Sequence, residues 1–317
     1  MLSRFIARRV VTGTLTLLAA TVVVFTLSRM VGDPRELYAK PEGYGISPEQ
    51  YEALGKKLNL DKPLVLQYFI WLGKVARGDF GNTLFTEKPV RDVISEKLPH
   101  TLQLGLVAWV LATVIGVPLG VLSAVRRGTV WDYMGRVIAI LGQTFPQFWL
   151  GIMGILIFAV QLNWLPSSTK GPPGATPWQE LRYFIMPAIV LGWSAAAGYA
   201  RITRSSMLEV LDSEYVKLAR GKGVSMKRVI WKHAIRNSLI PPLTLSALLL
   251  ANFLSGAVVV EAVFAWPGLG SLAAQSVYNN DFPVLTGVVL VFATLFVSLN
   301  LVADLLYAYV DPRIRFT

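Results

Sequence analysis

Six stretches of this chain run for 18 or more residues without a charged side chain: Val10–Ser28, Thr101–Val125, Val137–Gln161, Tyr183–Ala200, Asn237–Val260 and Phe282–Ala303. A hydrocarbon core about 30 Å thick takes about 20 apolar residues of helix to cross, because every backbone N–H and C=O must be paired inside the segment. Each run meets that demand, and Tyr183–Ala200 is the shortest. A soluble fold would have to bury all six, and the composition does not supply the polar cover. Charged residues make up 15% and hydrophobic ones 54%, where soluble domains carry roughly 25% charged residues. The expected fold class is therefore an all-α polytopic membrane protein of six transmembrane helices.

The net charge of +11 is spread between the apolar runs instead of being gathered with aromatics on one module, which argues against nucleic acid as a partner and for orientation in a bilayer. Arg4, Arg8 and Arg9 precede the first run, and Arg126, Arg127 and Arg136 lie between the second and third. Nine basic residues, from Arg201 to Arg236, separate the fourth from the fifth, and Arg313 and Arg315 close the chain. The short opposite connections offer Lys170 and Arg182. With six spans, all four basic groups fall on one side, so both termini are expected to be cytoplasmic. The first run is longer than the 7–15 residues of a signal-peptide core and no A-x-A-like site follows it, so residues 1–31 are expected to be a retained anchor.

Residues 32–99 balance ten acidic against ten basic residues between Asp33 and Lys97. Long loops translocate regardless of charge. Tyr68, Phe69, Trp71 and Leu72 suit an extracytoplasmic helical insertion packed on the first spans. Residues 100–317 would then hold the transmembrane core. Pro118, Pro146 and Pro187 lie inside three runs, where each is expected to kink its helix. Gly116 and Gly120 have the spacing for close helix approach. Polar side chains inside spans are costly unless they meet partners or a water-filled path. Gln143, Thr144 and Gln147 around Pro146, with Asn252 and Ser255 in the fifth run, are the candidate substrate-pathway residues, and interhelical hydrogen bonding is their plainer use.

The stretch 201–236 is too polar to span, yet it is helically periodic. Val216, Leu218 and Ala219 are set against Glu214, Lys217 and Arg220. Ser213 suits an N-cap, and Glu214 lies near the positive end of the helix dipole. Gly221 and Gly223 interrupt, a second amphipathic stretch runs from Ser225 to Arg236, and Pro241–Pro242 follow. A helix lying on anionic lipid would carry such a basic face. Glu209, Asp212 and Glu214 weigh against that, and the small residues Ala219, Gly221 and Gly223 permit close approach by another protein.

The run from Glu214 through Lys217, Leu218, Ala219, Arg220 and Gly223, followed by His233, Arg236-Asn237 and Pro241, resembles the EAA loop of binding-protein-dependent ABC importer permeases. Tyr215 and Val216 stand at tolerant alanine positions, and Gly221 stands where alanine is more usual. The likeness runs the length of the chain: Arg8-Arg9, Gly32-Asp33-Pro34, Gly78-Asp79-Phe80-Gly81, Pro99-His100-Thr101-Leu102, Pro146-x-Phe148, Glu261-x-Val-Phe-x-Trp266-Pro267-Gly268-Leu269-Gly270, Asn300-Leu301 with Asp304 and Tyr307, and Asp311-Pro312-Arg313. These are similar to the dipeptide, oligopeptide and nickel branch, and to the first permease of its pair.

The resemblance implies a type I importer fold in the cytoplasmic (inner) membrane of a bacterium or archaeon. It implies a second permease subunit, two cytoplasmic ABC ATPase subunits and an extracytoplasmic solute-binding protein, with lipid around the spans. Glu214, Tyr215, Ala219, Arg220 and Gly223 would form the coupling helix that docks on the ATPase. The chain has no G-x-x-x-x-G-K-[ST] phosphate loop. It is therefore expected to be a transport subunit that is no enzyme and binds no cofactor, with ATP and Mg hydrolysed by the partner.

An ion-gradient-driven secondary transporter or channel is the alternative. It predicts paired mid-span acids or inverted repeats, and the sequence shows neither. A membrane hydrolase would need a nucleophile beside a base in the spans, whereas His100 and His233, the two histidines, read as lying outside them. With no cysteine in the chain, thiolate metal sites are excluded, and no metal site is expected. Dipeptides, longer oligopeptides, nickel complexes, glutathione and sugars all stand as candidate substrates. The turn Glu261–Asp281 reads as a gate, a docking ledge or a packing element.

Overall fold

The computed structural model describes residues 2–30, 35, 48–57, 59–167, 169–172, 174–254 and 257–310. Among the described residues, four helices are each long and apolar enough to cross a membrane: α1 (Leu2–Met30), α4 (Val90–Val125), α7 (Pro177–Leu211) and α13 (Phe282–Val310). Two bent pairs complete six spans if each pair crosses once. They are α5 (Val130–Thr144) with α6 (Gln147–Gln161), and α9 (Met226–Ser238) with α10 (Ile240–Leu254). Shorter helices are α2 (Pro48–Lys57), α3 (Leu64–Val75), α8 (Glu214–Gly221), α11 (Val258–Val263) and α12 (Leu269–Tyr278).

The helices depart from the apolar runs in several places, and the run Asn237–Val260 is itself divided among α9, α10 and α11. The run Val137–Gln161 is two helices that bend by 105°. Phe145 is held extended at φ −83°, ψ 130° by the proline after it, and Pro146 brings no N–H to bridge the break. Pro118 and Pro187, expected to act alike, lie within continuous helices. The fourth span, expected to be the shortest, is 35 residues long. Its start is fixed by Pro177 and by a capping box in which Thr176 and Gln179 satisfy each other's backbone N–H groups. It continues past Ala200 because Thr203, Ser206 and Met207 are buried on one face while Arg201, Ser205 and Glu209 face out. α4 starts at Val90 instead of Thr101, and it takes in His100.

The chain divides into two compact units. The first joins residues up to Pro99 with Gly268–Leu301. Val90 and Ile94, one helical turn apart, pack there with Leu269, Val284 and Val288. α3 lies on α1: the Thr21 and Tyr68 hydroxyls are 2.9 Å apart, and Phe25 meets the rings of Tyr68 and Trp71, each at 5.4 Å. Phe69, expected in that cluster, meets the Tyr68 ring edge-on at 5.3 Å and is otherwise exposed. The Leu84 N–H donates to the Asp281 carboxylate at 3.2 Å. Gly32, Asp33 and Pro34 lie outside the described residues, as do Asp311, Pro312 and Arg313.

The second unit comprises His100–Pro267 and continues from Val302. Its core gathers Leu104, Ala108, Ala112, Leu191, Tyr199 and Phe253 with Trp266. Glycines and alanines set the helix spacing. A Cβ at Gly116 would sit 2.4 Å from the Ala196 carbonyl oxygen, and one at Gly120 would sit 2.6 Å from that of Ala200. α4 and α7 therefore touch backbone to backbone, the approach expected from that spacing. A Cβ at Gly142 would likewise meet the Ala197 methyl at 2.5 Å, which locks α5 to α7.

Candidate functional site

α7 ends at Leu211, and Ser213, extended at φ −70°, ψ 152°, turns the chain into α8. Ser213 occupies the N-cap position, but its hydroxyl donates back to the Val210 carbonyl and leaves the first turn of α8 uncapped by a side chain. The Lys217 N–H instead closes on the Ser213 carbonyl at 3.1 Å. At the other end Gly223 adopts φ +79°. That lets its N–H reach the Arg220 carbonyl at 2.9 Å, and the Val224 N–H the Ala219 carbonyl at 3.1 Å. A residue with a Cβ would be strained there.

Val216 is the anchor of α8, fully buried, and α9 buries Val229 and Ala234. Ala234 packs with Ala124 and Met207 against Leu208, Leu211, Ile230 and Ile235. The middle of α9, Val229–Ala234, is wound as a π-helix. The Ser206 hydroxyl donates to the Ser238 carbonyl at 2.9 Å. Asn237 donates through Nδ2 to the Tyr215 hydroxyl at 3.1 Å and to the His233 carbonyl at 2.9 Å. The helix–glycine turn–helix is thus fixed to the inner end of α7 by packing and by directed hydrogen bonds.

What it leaves outward is unusual. Tyr215 is 45% exposed, Leu218 61%, Met226 49% and Trp231 69%. Leu218, assigned by periodicity to the apolar side with Val216, faces away from it, because two residues turn a helix by about 200°. On α8 itself Glu214, Lys217 and Arg220 are exposed as well, and Ala219 is half-buried. Lys217 donates to Glu214 at 2.8 Å, and that hydrogen bond raises the Lys217 ammonium above its ordinary value. Neither Gly221 nor Gly223 has a heavy atom within 4 Å of where a Cβ would stand. All five residues carried over from the EAA resemblance therefore lie on one short helix and its glycine turn.

The five candidate pathway residues separate. Gln147 and Asn252 line one cavity of about 440 Å³, with Ser194, Leu191, Leu249 and Phe253 around them. Gln143 instead accepts from Arg201 at 3.1 Å and lines a second cavity of about 370 Å³ with Arg136 and Arg204. The Thr144 hydroxyl is spent on the Ile140 carbonyl, 2.9 Å away in its own helix. Ser255 lies outside the described residues. Ser194 joins the cavity without a prior expectation; its signal in the sequence is a hydroxyl followed by three alanines in the run Tyr183–Ala200. Asp132 likewise carries no prior expectation; its signal is an acid among Arg126, Arg127 and Arg136, four residues before the last.

At the outer end of the second unit Trp266 is fully buried, donates to the His100 carbonyl at 3.0 Å and meets the Phe184 ring edge-on at 4.6 Å. That half of the external turn is a packing element. His100, expected outside the spans, stands in α4 with Nδ1 3.4 Å from the Lys170 ammonium. Arg182 donates to the Trp164 carbonyl at 2.6 Å.

Comparison with known proteins agrees with this architecture. The oligopeptide transport system permease protein AppB of Bacillus subtilis is 38% identical over 99% of this chain and 100% of its own. The dipeptide transport system permease protein DppB of Alkalihalophilus pseudofirmus is 36% identical, over 95% of this chain and 96% of its own. The glutathione transport system permease protein GsiC of Escherichia coli K12 is 39% identical over 95% of each. Among solved structures, an inward-facing MetNI methionine ABC transporter superposes with a TM-score of 0.56 at 20% identity. The match covers 69% of this chain and 96% of that one, and shows a shared fold. Residues 116–316 match the family described as binding-protein-dependent transport system inner membrane component, and residues 1–105 match its N-terminal family. The chain belongs to the inner membrane components of binding-protein-dependent transport systems.

Proposed function

We propose that this chain is one permease of a pair that carries small peptides inward by alternating access, driven by separate ATPase subunits that grip α8. The supporting observation is the contrast within the helix–turn–helix: Val216 and Val229 are fully buried while Tyr215, Leu218, Met226 and Trp231 stand out among charges. A fixed element that exposes apolar side chains together with Glu214, Lys217 and Arg220 suits a protein cleft better than water. Glu214 and Arg220 supply charge-assisted hydrogen bonds, and Ala219, Gly221 and Gly223 admit a close backbone. ATP and Mg are bound and hydrolysed by the partner, since this sequence has no phosphate loop. A binding protein delivers the solute from outside, and the second permease closes the pathway.

The peptide assignment follows the relatives, whose names specify oligopeptides, dipeptides and the tripeptide glutathione. Gln147 and Asn252 across one cavity offer amide groups that pair with peptide N–H and C=O groups as donor and acceptor at once. Within this reading residues 1–31 serve as an anchor, residues 32–99 as an extracytoplasmic helical insertion and residues 100–317 as the transmembrane core.

The test is uptake by the complete importer in vesicles. A Cβ at Gly221 would point into open space, so Gly221→Trp is expected to insert and fold while the ATPase is held off and uptake is abolished. Gly223→Trp is expected to do the same with added backbone strain. Normal substrate-dependent ATP hydrolysis in both variants would sink the coupling assignment. Uptake that survives ATP depletion and collapses with an uncoupler would replace it with an ion-driven carrier.

A further inference from the structure

Asp132 lies outside the helix–turn–helix and is 1% exposed, yet it collects five donors. Its Oδ1 accepts from Arg204 Nε at 2.8 Å and from the Ser123 hydroxyl at 2.8 Å. Its Oδ2 accepts from Arg204 Nη2 at 3.1 Å, from the Gly128 N–H at 3.0 Å and from Arg136 Nη2 at 3.2 Å. One carboxylate thereby ties together the end of α4, the α4–α5 turn, the first turns of α5 and the inner end of α7.

Replacing a buried ion pair by apolar residues of similar size is often neutral or stabilising. Stability alone therefore gives a poor reason for this one. Direction gives a better one. A two-pronged guanidinium–carboxylate contact fixes angle as well as distance, and here it sits where such a constraint has consequences. Nine residues beyond Arg204, α7 hands the chain to α8 through Ser213. At its opposite end α5 stops at the 105° break before Gln147, on the rim of the 440 Å³ cavity. Two residues before the end of α5, Gly142 locks onto Ala197 of α7. α5 and α7 are thus clasped at the inner end and interlocked along their length, and the break at Phe145–Pro146 is the first point where the path can bend.

We propose that Asp132 is the positioning residue that makes α5 follow α7, so that displacement of α8 is delivered to Gln147 at the cavity through a two-helix lever hinged at Phe145–Pro146. This rests on α8 being the coupling helix. Among interaction partners within the chain, Arg204 is the essential one, while Arg136, more exposed, and Ser123 steer the carboxylate.

The experiment uses the complete importer in lipid nanodiscs and reads peptide taken up per ATP hydrolysed, a ratio that does not depend on how much protein folds. Two variants are compared: Asp132→Asn, and Asp132→Asn combined with Arg204→Gln, which leaves neither member of the pair charged. The expected result is basal hydrolysis near the parent's in both, with uptake per ATP falling about tenfold, the size of a lost coupling free energy. A double variant that assembles and keeps the parental ratio overturns the proposal, because the charged clasp is then dispensable. Failure of both variants to assemble also overturns it, since the pair then serves folding. If Gly221→Trp leaves uptake intact, the coupling reading itself has failed. If Gly221→Trp blocks uptake and the Asp132 variants do not uncouple, the clasp alone has failed.

Discussion

The two ends of the second unit are joined by different physics. At the inner end a buried carboxylate holds four segments through five directed hydrogen bonds. At the outer end a buried indole fills space beside Phe184 and spends one hydrogen bond on a backbone carbonyl. Apolar contact is non-directional, so elements packed around Trp266 can slide and keep most of their contact. Hydrogen bonds weaken steeply with angle, so the elements around Asp132 move together or separate. The inner end is suited to transmit a displacement and the outer end to absorb one.

Substitutions at the two centres break this comparison most severely. Asp132→Ala leaves Arg204 with no carboxylate partner and is expected to cost about 3–5 kcal/mol; Trp266→Ala empties a fully buried site at a similar cost of about 3–5 kcal/mol. Thermal unfolding of the purified protein in detergent gives both values, and a negligible change for either would remove that centre from the account. The two part company in function: partial refilling by Trp266→Phe is expected to restore uptake, while Asp132→Asn, nearly isosteric, is not. A smaller effect is expected at Ser206→Ala, which deprives the buried Ser238 carbonyl of its side-chain donor at about 1 kcal/mol, with unfolding midpoints as the check. The smallest is Tyr215→Phe. It removes an exposed hydrogen bond from Asn237 and is expected to change stability by about 0.5 kcal/mol or less. A larger fall in ATPase binding than in stability would identify the Tyr215 hydroxyl as a contact with the partner.

The type of the spans was legible in the charge-free runs, four of which fall in single long helices and two in bent pairs. Their ends were not. α4 reaches back to Val90 and α7 forward to Leu211 because one face of each extension is buried while the other carries charge, and a search for uncharged stretches stops at the first charge. The three prolines looked alike in sequence. Only Pro146 breaks its helix, whereas Pro187 lies buried in the packed middle of α7, a distinction that depends on neighbours distant in the chain. The helix–turn–helix was legible from Gly221, Gly223 and the spacing of Val216, yet Leu218 was placed on the wrong side. The sequence does not say which of two apolar side chains finds a core. Asp132 carried a local signal in its neighbouring arginines, but its main partner, Arg204, is 72 residues away and was not legible from the sequence.

The glycine seam between α4 and α7 has a consequence for how the chain can vary. At Gly116 and Gly120 the obstacle to any larger residue is the carbonyl oxygen of the facing helix, which no rotamer change can clear. In a library of variants selected only for insertion into the membrane, these two positions will already be emptied of everything but glycine. Their invariance among functional variants will carry no information about the solute. With the cavity as the proposed solute path, the residues facing open volume are Gln147, Ser194 and Asn252, and it is there that variation is expected to follow the cargo.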